Sequence, residues 1–88
     1  MIMVSAFVLV NCHFPFDIRI MDKISKMPSV VNVYRISGRY DLIVKVNANT
    51  EDEVKEIVSR DINALQGVDA TVTMIIAKQY MKSSDKVV

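Results

Sequence analysis

From Ile2 to Cys12 the side chains are almost unbroken in Val, Phe, Ile and Leu, and no strong breaker interrupts them. That run predicts a buried first strand. His13-Phe14-Pro15-Phe16-Asp17 reads as a turn, because Pro15 holds the residue before it extended. Between Asp17 and Met27 the apolar positions are Ile20, Met21, Ile24 and Met27, with Asp22, Lys23 and Lys26 between them. Three-and-four spacing marks one face of a helix, which Pro28 stops. Val30 to Ser37 is β-branched and extended, a second strand; Gly38-Arg39-Tyr40-Asp41 makes a tight reversal, and Tyr40 to Val46 is a third. Thr50 with Glu53 fits a capping box, in which each side chain satisfies the other's orphan N–H, and Glu51 and Asp52 favour the positive end of a helix. Val54, Ile57, Val58, Ile62 and Leu65 form its apolar stripe, Gly67 ends it, and Ala70 to Gln79 is a fourth strand.

The order is β-α-β-β-α-β, the ferredoxin-like α+β sandwich: an antiparallel sheet with both helices on one face. Residues 1–79 form one domain in this reading, and residues 80–88 a loosely held tail. Alternation places Leu42, Val44 and Val46 on one side of the third strand and Ile43, Lys45 and Asn47 on the other. On the fourth strand it sets Val72, Met74 and Ile76 on the helix side against Thr71, Thr73, Ile75 and Ala77. The first strand is apolar on both sides, yet two helices cover only one face. A patch of Phe7, Leu9, Ile43 and Ile75 is then too apolar to leave in water, although scattered exposed apolar side chains are normal. The expectation is a homodimer closed sheet to sheet, a dimeric α/β barrel-like assembly with these four residues in its interface.

Composition narrows the function classes. The chain has 88 residues, 51% hydrophobic, and its eleven Lys+Arg against ten Asp+Glu give a net charge of +1. Gripping phosphates needs a basic surface, so direct nucleic-acid binding is not expected. The aromatics Phe7, Phe14, Phe16, Tyr34, Tyr40 and Tyr80 also miss the third-strand positions that an RNA-stacking sheet would use. One cysteine allows no intramolecular disulfide and fits a reducing, cytoplasmic home. The first apolar run has no basic residue before it, no cleavage pattern after it, and is too short for a membrane span. Cys12 and His13 are the single Cys and the single His, and strand neighbours point to opposite faces. Neither a metal set nor a nucleophile–base pair can be built from them, so no metal, no cofactor and no catalytic residue is expected. Cys12 reads as a small core residue and His13 as a surface residue at a strand end.

The reversal at Ser37 to Asp41 carries the remaining chemistry. Gly38 permits positive φ, and a turn there can aim successive backbone N–H groups outward as an anion-binding concavity. Asp41 sets a carboxylate beside those donors, and Thr71 and Thr73 could add hydroxyls. A free amino acid, with carboxylate and ammonium a few ångströms apart, suits such a concavity. Turn formation alone also accounts for Gly38 and Asp41.

The run Val31-Asn32-Val33-Tyr34-Arg35-Ile36-Ser37-Gly38-Arg39-Tyr40-Asp41-Leu42-Ile43-Val44-Lys45-Val46 resembles the core of the RAM domain, the C-terminal effector domain of Lrp/AsnC-type transcription regulators. Gly67-Val68 followed by Thr71 and Thr73 matches the same pattern, so the resemblance covers about residues 3 to 79. It implies a βαββαβ dimer with facing sheets, assembled into rings of four or five dimers (octamer or decamer), with an amino-acid effector between neighbouring dimers. The implied effector residues are Gly38, Arg39, Tyr40, Asp41, Thr71 and Thr73, with loop N–H groups on the carboxylate and Asp41 on the ammonium. Full regulators carry a helix-turn-helix domain ahead of this one, whereas here the first strand begins at Ile2. The expectation is therefore a stand-alone sensing and oligomerisation domain, acting alone or beside a full-length regulator or an enzyme. Two alternatives stand beside it: a small dimeric barrel enzyme of monooxygenase or isomerase type using His13, and a pure oligomerisation module.

Overall fold

The structure is a computed structural model, and it describes residues 3–78. The elements run β1 (Val4–Cys12), α1 (Asp17–Ser25), β2 (Val30–Arg35), β3 (Leu42–Ala48), α2 (Glu51–Glu56), a π-helical continuation (Ile57–Ile62) and β4 (Val68–Ile75). The strands form one antiparallel sheet in the order β2-β3-β1-β4, the ferredoxin-like arrangement. The proposed tail from Tyr80 onward lies outside the described residues.

The core lies between the sheet and the helices. Ala6, Val8 and Val10 of β1 and Leu42, Val44, Val46 and Ala48 of β3 are buried together with Ile20 and Ile24 of α1 and Val54, Ile57, Val58 and Ile62 of the second helix. The apolar spacing read along both helices is the face that meets the sheet. Thr50 caps α2 as expected, its Oγ1 accepting from the Glu53 N–H at 3.0 Å. The reciprocal bond differs: Glu53 Oε1 accepts from the N–H of Asn49, at 2.9 Å, rather than from Thr50 itself. After Glu56 the helix widens into the π turn, so that Ile57, Val58 and Ile62 are all buried.

Register overturns one expectation. Ala6 pairs with Ile75, Val8 with Thr73 and Val10 with Thr71, so these three β4 residues lie on the helix side. Phe7 pairs with Met74 and Leu9 with Val72 on the open face. Ile75, expected in the dimer patch, instead packs against the core. Val72 and Met74, expected beneath the helices, are 40% and 42% exposed. Both parities of this strand carry apolar residues, so alternation alone cannot orient it; pairing with β1 does.

The open face thus holds a continuous apolar row, Tyr34, Ile43, Leu9 and Val72, one residue from each strand. Beside it runs a second row of Asn32, Lys45, Phe7 and Met74. Phe7, Leu9 and Ile43 lie half-buried on this face, which no helix among the described residues covers.

Candidate functional site

Three connections converge where β1 ends, β3 begins and β4 begins: the β1–α1 loop, the β2–β3 turn and the turn ahead of β4. Gly38, at φ +126°, makes the β2–β3 turn, and an added Cβ there would meet nothing within 4 Å. Arg39 is exposed and Tyr40 half-buried beside it. Asp41 is pinned by its backbone: its N–H donates to the Val10 carbonyl at 3.0 Å, and its carbonyl accepts from Ile36 at 2.9 Å. Its side-chain Oδ2 accepts from the Cys12 N–H at 2.9 Å. One residue therefore ties the turn to β1 on both sides.

Two side-chain pairings, one of them an ion pair, frame this corner. Asp17, in the first turn of α1 and almost fully buried, meets Arg35 Nη2 at 3.0 Å from the end of β2. His13 Nδ1 meets Asp69 Oδ1 at 2.6 Å, and the His13 N–H donates to the Gly67 carbonyl at 2.8 Å. Gly67, at φ +97°, lies so close to Phe16 that an added Cβ would fall 2.5 Å from the Phe16 Cβ. These contacts dock the β1–α1 loop on the start of β4. Cys12 sits in their midst: burial pushes its thiol pKa up, and Asp41, Asp17 and Asp69 push it further, against a smaller opposing pull from Arg35. Such a thiol is protonated and a poor nucleophile.

The three carboxylates differ in their partners. Asp17 has Arg35 and Asp69 has His13, whereas Asp41 has only a backbone N–H, with no cation paired to it among the described residues. A half-buried carboxylate so placed keeps acceptor capacity for a further donor.

Thr71 and Thr73 stand apart from this carboxylate. They lie on the helix side of β4, and Thr71 Oγ1 donates to Asn63 Oδ1 at 2.8 Å. Arg35, Leu42, Val10 and Thr71 form one row across the four strands, so Thr71 is two strand spacings, about 10 Å, from β3. Within one chain the structure does not bring the threonines to the turn. Cys12 packs against the core and His13 is exposed, as expected, but the partner of His13 is Asp69. No group of three or more His, Cys, Asp or Glu among the described residues could hold a metal ion. Sequence reasoning overlooked both pairings. Arg35 gave a usable signal, since it shares the helix-facing parity of Val33 and a charge there needs a partner. Elsewhere, a cleft of about 340 Å³ lies between α1 and β2, lined by residues including Met21, Ser25, Val30 and Val33. No helix among the described residues is long and apolar enough to cross a membrane.

Known proteins share the sequence pattern and the fold. Over 82 residues, 93% of the chain is 27% identical to 54% of the HTH-type transcriptional regulator FL11 of Pyrococcus furiosus. A 77-residue stretch, 86% of the chain, is 32% identical to a segment making up 16% of the homocitrate synthase of Sulfurisphaera tokodaii. The chain thus spans about half the length of FL11 and far less of the synthase. Among solved structures, FFRP-DM1 is 33% identical with a TM-score of 0.79, the match covering 83% of this chain and 97% of that one. The transcriptional regulator NMB0573 of Neisseria meningitidis, solved as its L-Met complex, shares the fold with a TM-score of 0.80 at 17% identity over 92% of this chain and 54% of its own. The family model described as the Lrp/AsnC ligand binding domain matches residues 5–85, and the chain belongs to that family.

Proposed function

We propose that this chain is an amino-acid-sensing and oligomerisation domain that modulates transcription or metabolism through ligand-linked assembly. The observation that carries the reading is Asp41, a half-buried carboxylate pinned beside an open glycine turn and lacking a cationic partner among the described residues. Asp41 takes the ammonium, and backbone N–H groups around Gly38, Arg39 and Tyr40 take part on the carboxylate. Thr71 and Thr73, which do not reach this turn within one chain, enter through a neighbouring copy. The methionine bound by NMB0573 supports an amino acid as the ligand class.

Copies associate as a homodimer through the open face, where Tyr34, Phe7, Leu9, Ile43, Val72 and Met74 form the apolar surface. Dimers then assemble into octameric or decameric rings. A non-catalytic role is supported by relatives named as transcription regulators and by a helix–sheet space filled with aliphatic side chains. The relative named homocitrate synthase supports an enzyme as an alternative partner to a full-length regulator. A cytoplasmic location fits the single reduced cysteine.

Calorimetric titration with the twenty amino acids, alongside native mass spectrometry, tests this. At least one amino acid should bind and change the distribution of assemblies, and Asp41→Asn should weaken that binding at least tenfold while the dimer persists. Binding by none of the twenty, or unchanged affinity in Asp41→Asn, overturns the reading.

A further inference from the structure

An ammonium receptor alone would not distinguish an amino acid from a simple amine. The side chain that supplies the distinction lies on the adjacent strand. Arg35 pairs in register with Leu42, and the next residue, Ile36, donates its N–H to the Asp41 carbonyl at 2.9 Å. Arg35 therefore stands one residue short of the level of Asp41 on the neighbouring strand, with the strands about 5 Å apart. The charges of both residues reach the Cys12 sulfur, Asp41 pushing its proton affinity up and Arg35 pulling it down.

Arg35 is also only partly used. One nitrogen, Nη2, meets Asp17 Oδ2 at 3.0 Å, and the Arg35 side chain is 61% exposed against 13% for Asp17. A guanidinium has five N–H donors in a planar fork, and this one keeps most of them available while Asp17 fixes its position. A fork so held is shaped for a carboxylate.

We propose that Arg35 is the carboxylate receptor of the effector site, acting with Asp41 to read both ends of a free α-amino acid. This rests on the reading of the Asp41 turn as an amino-acid site. Arg35 adds full charge to the neutral N–H groups of the turn, and Asp17 acts through it as a positioning residue.

The test compares three matched ligands on the full chain by calorimetry: the tightest amino acid of the twenty, its decarboxylated amine, and its 2-hydroxy acid. The unmodified protein should prefer the amino acid over both analogues. Arg35→Gln should lose at least tenfold in amino-acid affinity, bind the amine as before, and no longer favour the amino acid over it. Since Arg35→Gln strands Asp17, the double variant Asp17→Asn/Arg35→Gln serves as the folded control and should show the same loss of preference. If both variants retain the preference for amino acid over amine, Arg35 is not the receptor, and the amino-acid reading survives. If no amino acid binds the unmodified protein, that reading fails and this inference falls with it.

Discussion

Gly38 and Gly67 share positive φ, at +126° and +97°, but not their surroundings, and the contrast gives a sharp test of the corner's packing. Replacing Gly38 by Ala adds a methyl group with nothing within 4 Å, so the cost is backbone strain alone. Holding an L-residue at positive φ costs about 1–2 kcal/mol, partly offset by roughly 0.4–1 kcal/mol from a less flexible unfolded chain. Gly67→Ala carries the same terms and adds a collision: the new Cβ would lie 2.5 Å from Phe16 Cβ and 2.8 Å from its Cγ. Forcing a methyl into filled space typically costs about 1–3 kcal/mol more. Urea unfolding followed by circular dichroism, at one protein concentration so that any association contributes equally, measures both variants. With a slope of about 1–2 kcal/mol/M, the midpoint of Gly67→Ala should lie at least ~0.5 M below that of Gly38→Ala. Equal midpoints would refute the close docking of the β1–α1 loop on the start of β4, and with it the geometry that holds His13 against Asp69.

Two further predictions concern the register and the thiol. Val72→Asp, on the open face, should leave a folded chain that sediments as a monomer, whereas Ile75→Asp, against the core, should abolish folding; a Val72→Asp dimer would refute the proposed interface. Cys12 should alkylate slowly at neutral pH, with a reaction midpoint above the ordinary thiol range because of burial first and the Asp41 charge second, and Asp41→Asn should lower that midpoint. The sign for stability follows: the fold holds the thiol proton more tightly than the unfolded chain does, so the contribution is complete below the unfolded pKa of ~8.5 and is lost as pH rises through the folded value. Cys12→Ser should flatten the alkaline fall in the urea midpoint.

The fold was legible because its signals are local. The three-and-four spacing of Ile20 and Ile24, the Thr50–Glu53 cap and the glycine at 38 each depend on neighbours a few residues away. Alternation also oriented β3 correctly, since Lys45 and Asn47 break its apolar run on one side. It failed on β4, where Val72 and Met74 compete with Thr73 and Ile75 and neither parity is clearly polar. There the answer lies in long-range pairing with β1, which has a register shift at Asn11/Cys12. The same limit hid half of the candidate site. Gly38 and Asp41 were visible as a turn, but the Arg35–Asp17 and His13–Asp69 pairs join residues 18 and 56 positions apart, and no spacing announces them.

The site and the open face share β1 over a very short stretch. Val10 accepts from the Asp41 N–H and Cys12 donates to its carboxylate, while Leu9, one residue earlier, lies in the apolar row on the other side of the sheet. That closeness does not by itself couple ligand to assembly. An effector held by one copy alone would bind the separate and assembled forms with equal affinity, and equal affinity shifts no equilibrium however tight the binding. Coupling requires that the bound molecule touch a second copy, or that assembly complete its receptor. The turn at Gly38 faces open space within one chain, and the threonines of β4 are held about 10 Å away across β1. On the proposed reading, both features leave the receptor unfinished in a single copy, and an unfinished receptor would give the assembled form the higher affinity that ligand-linked association demands.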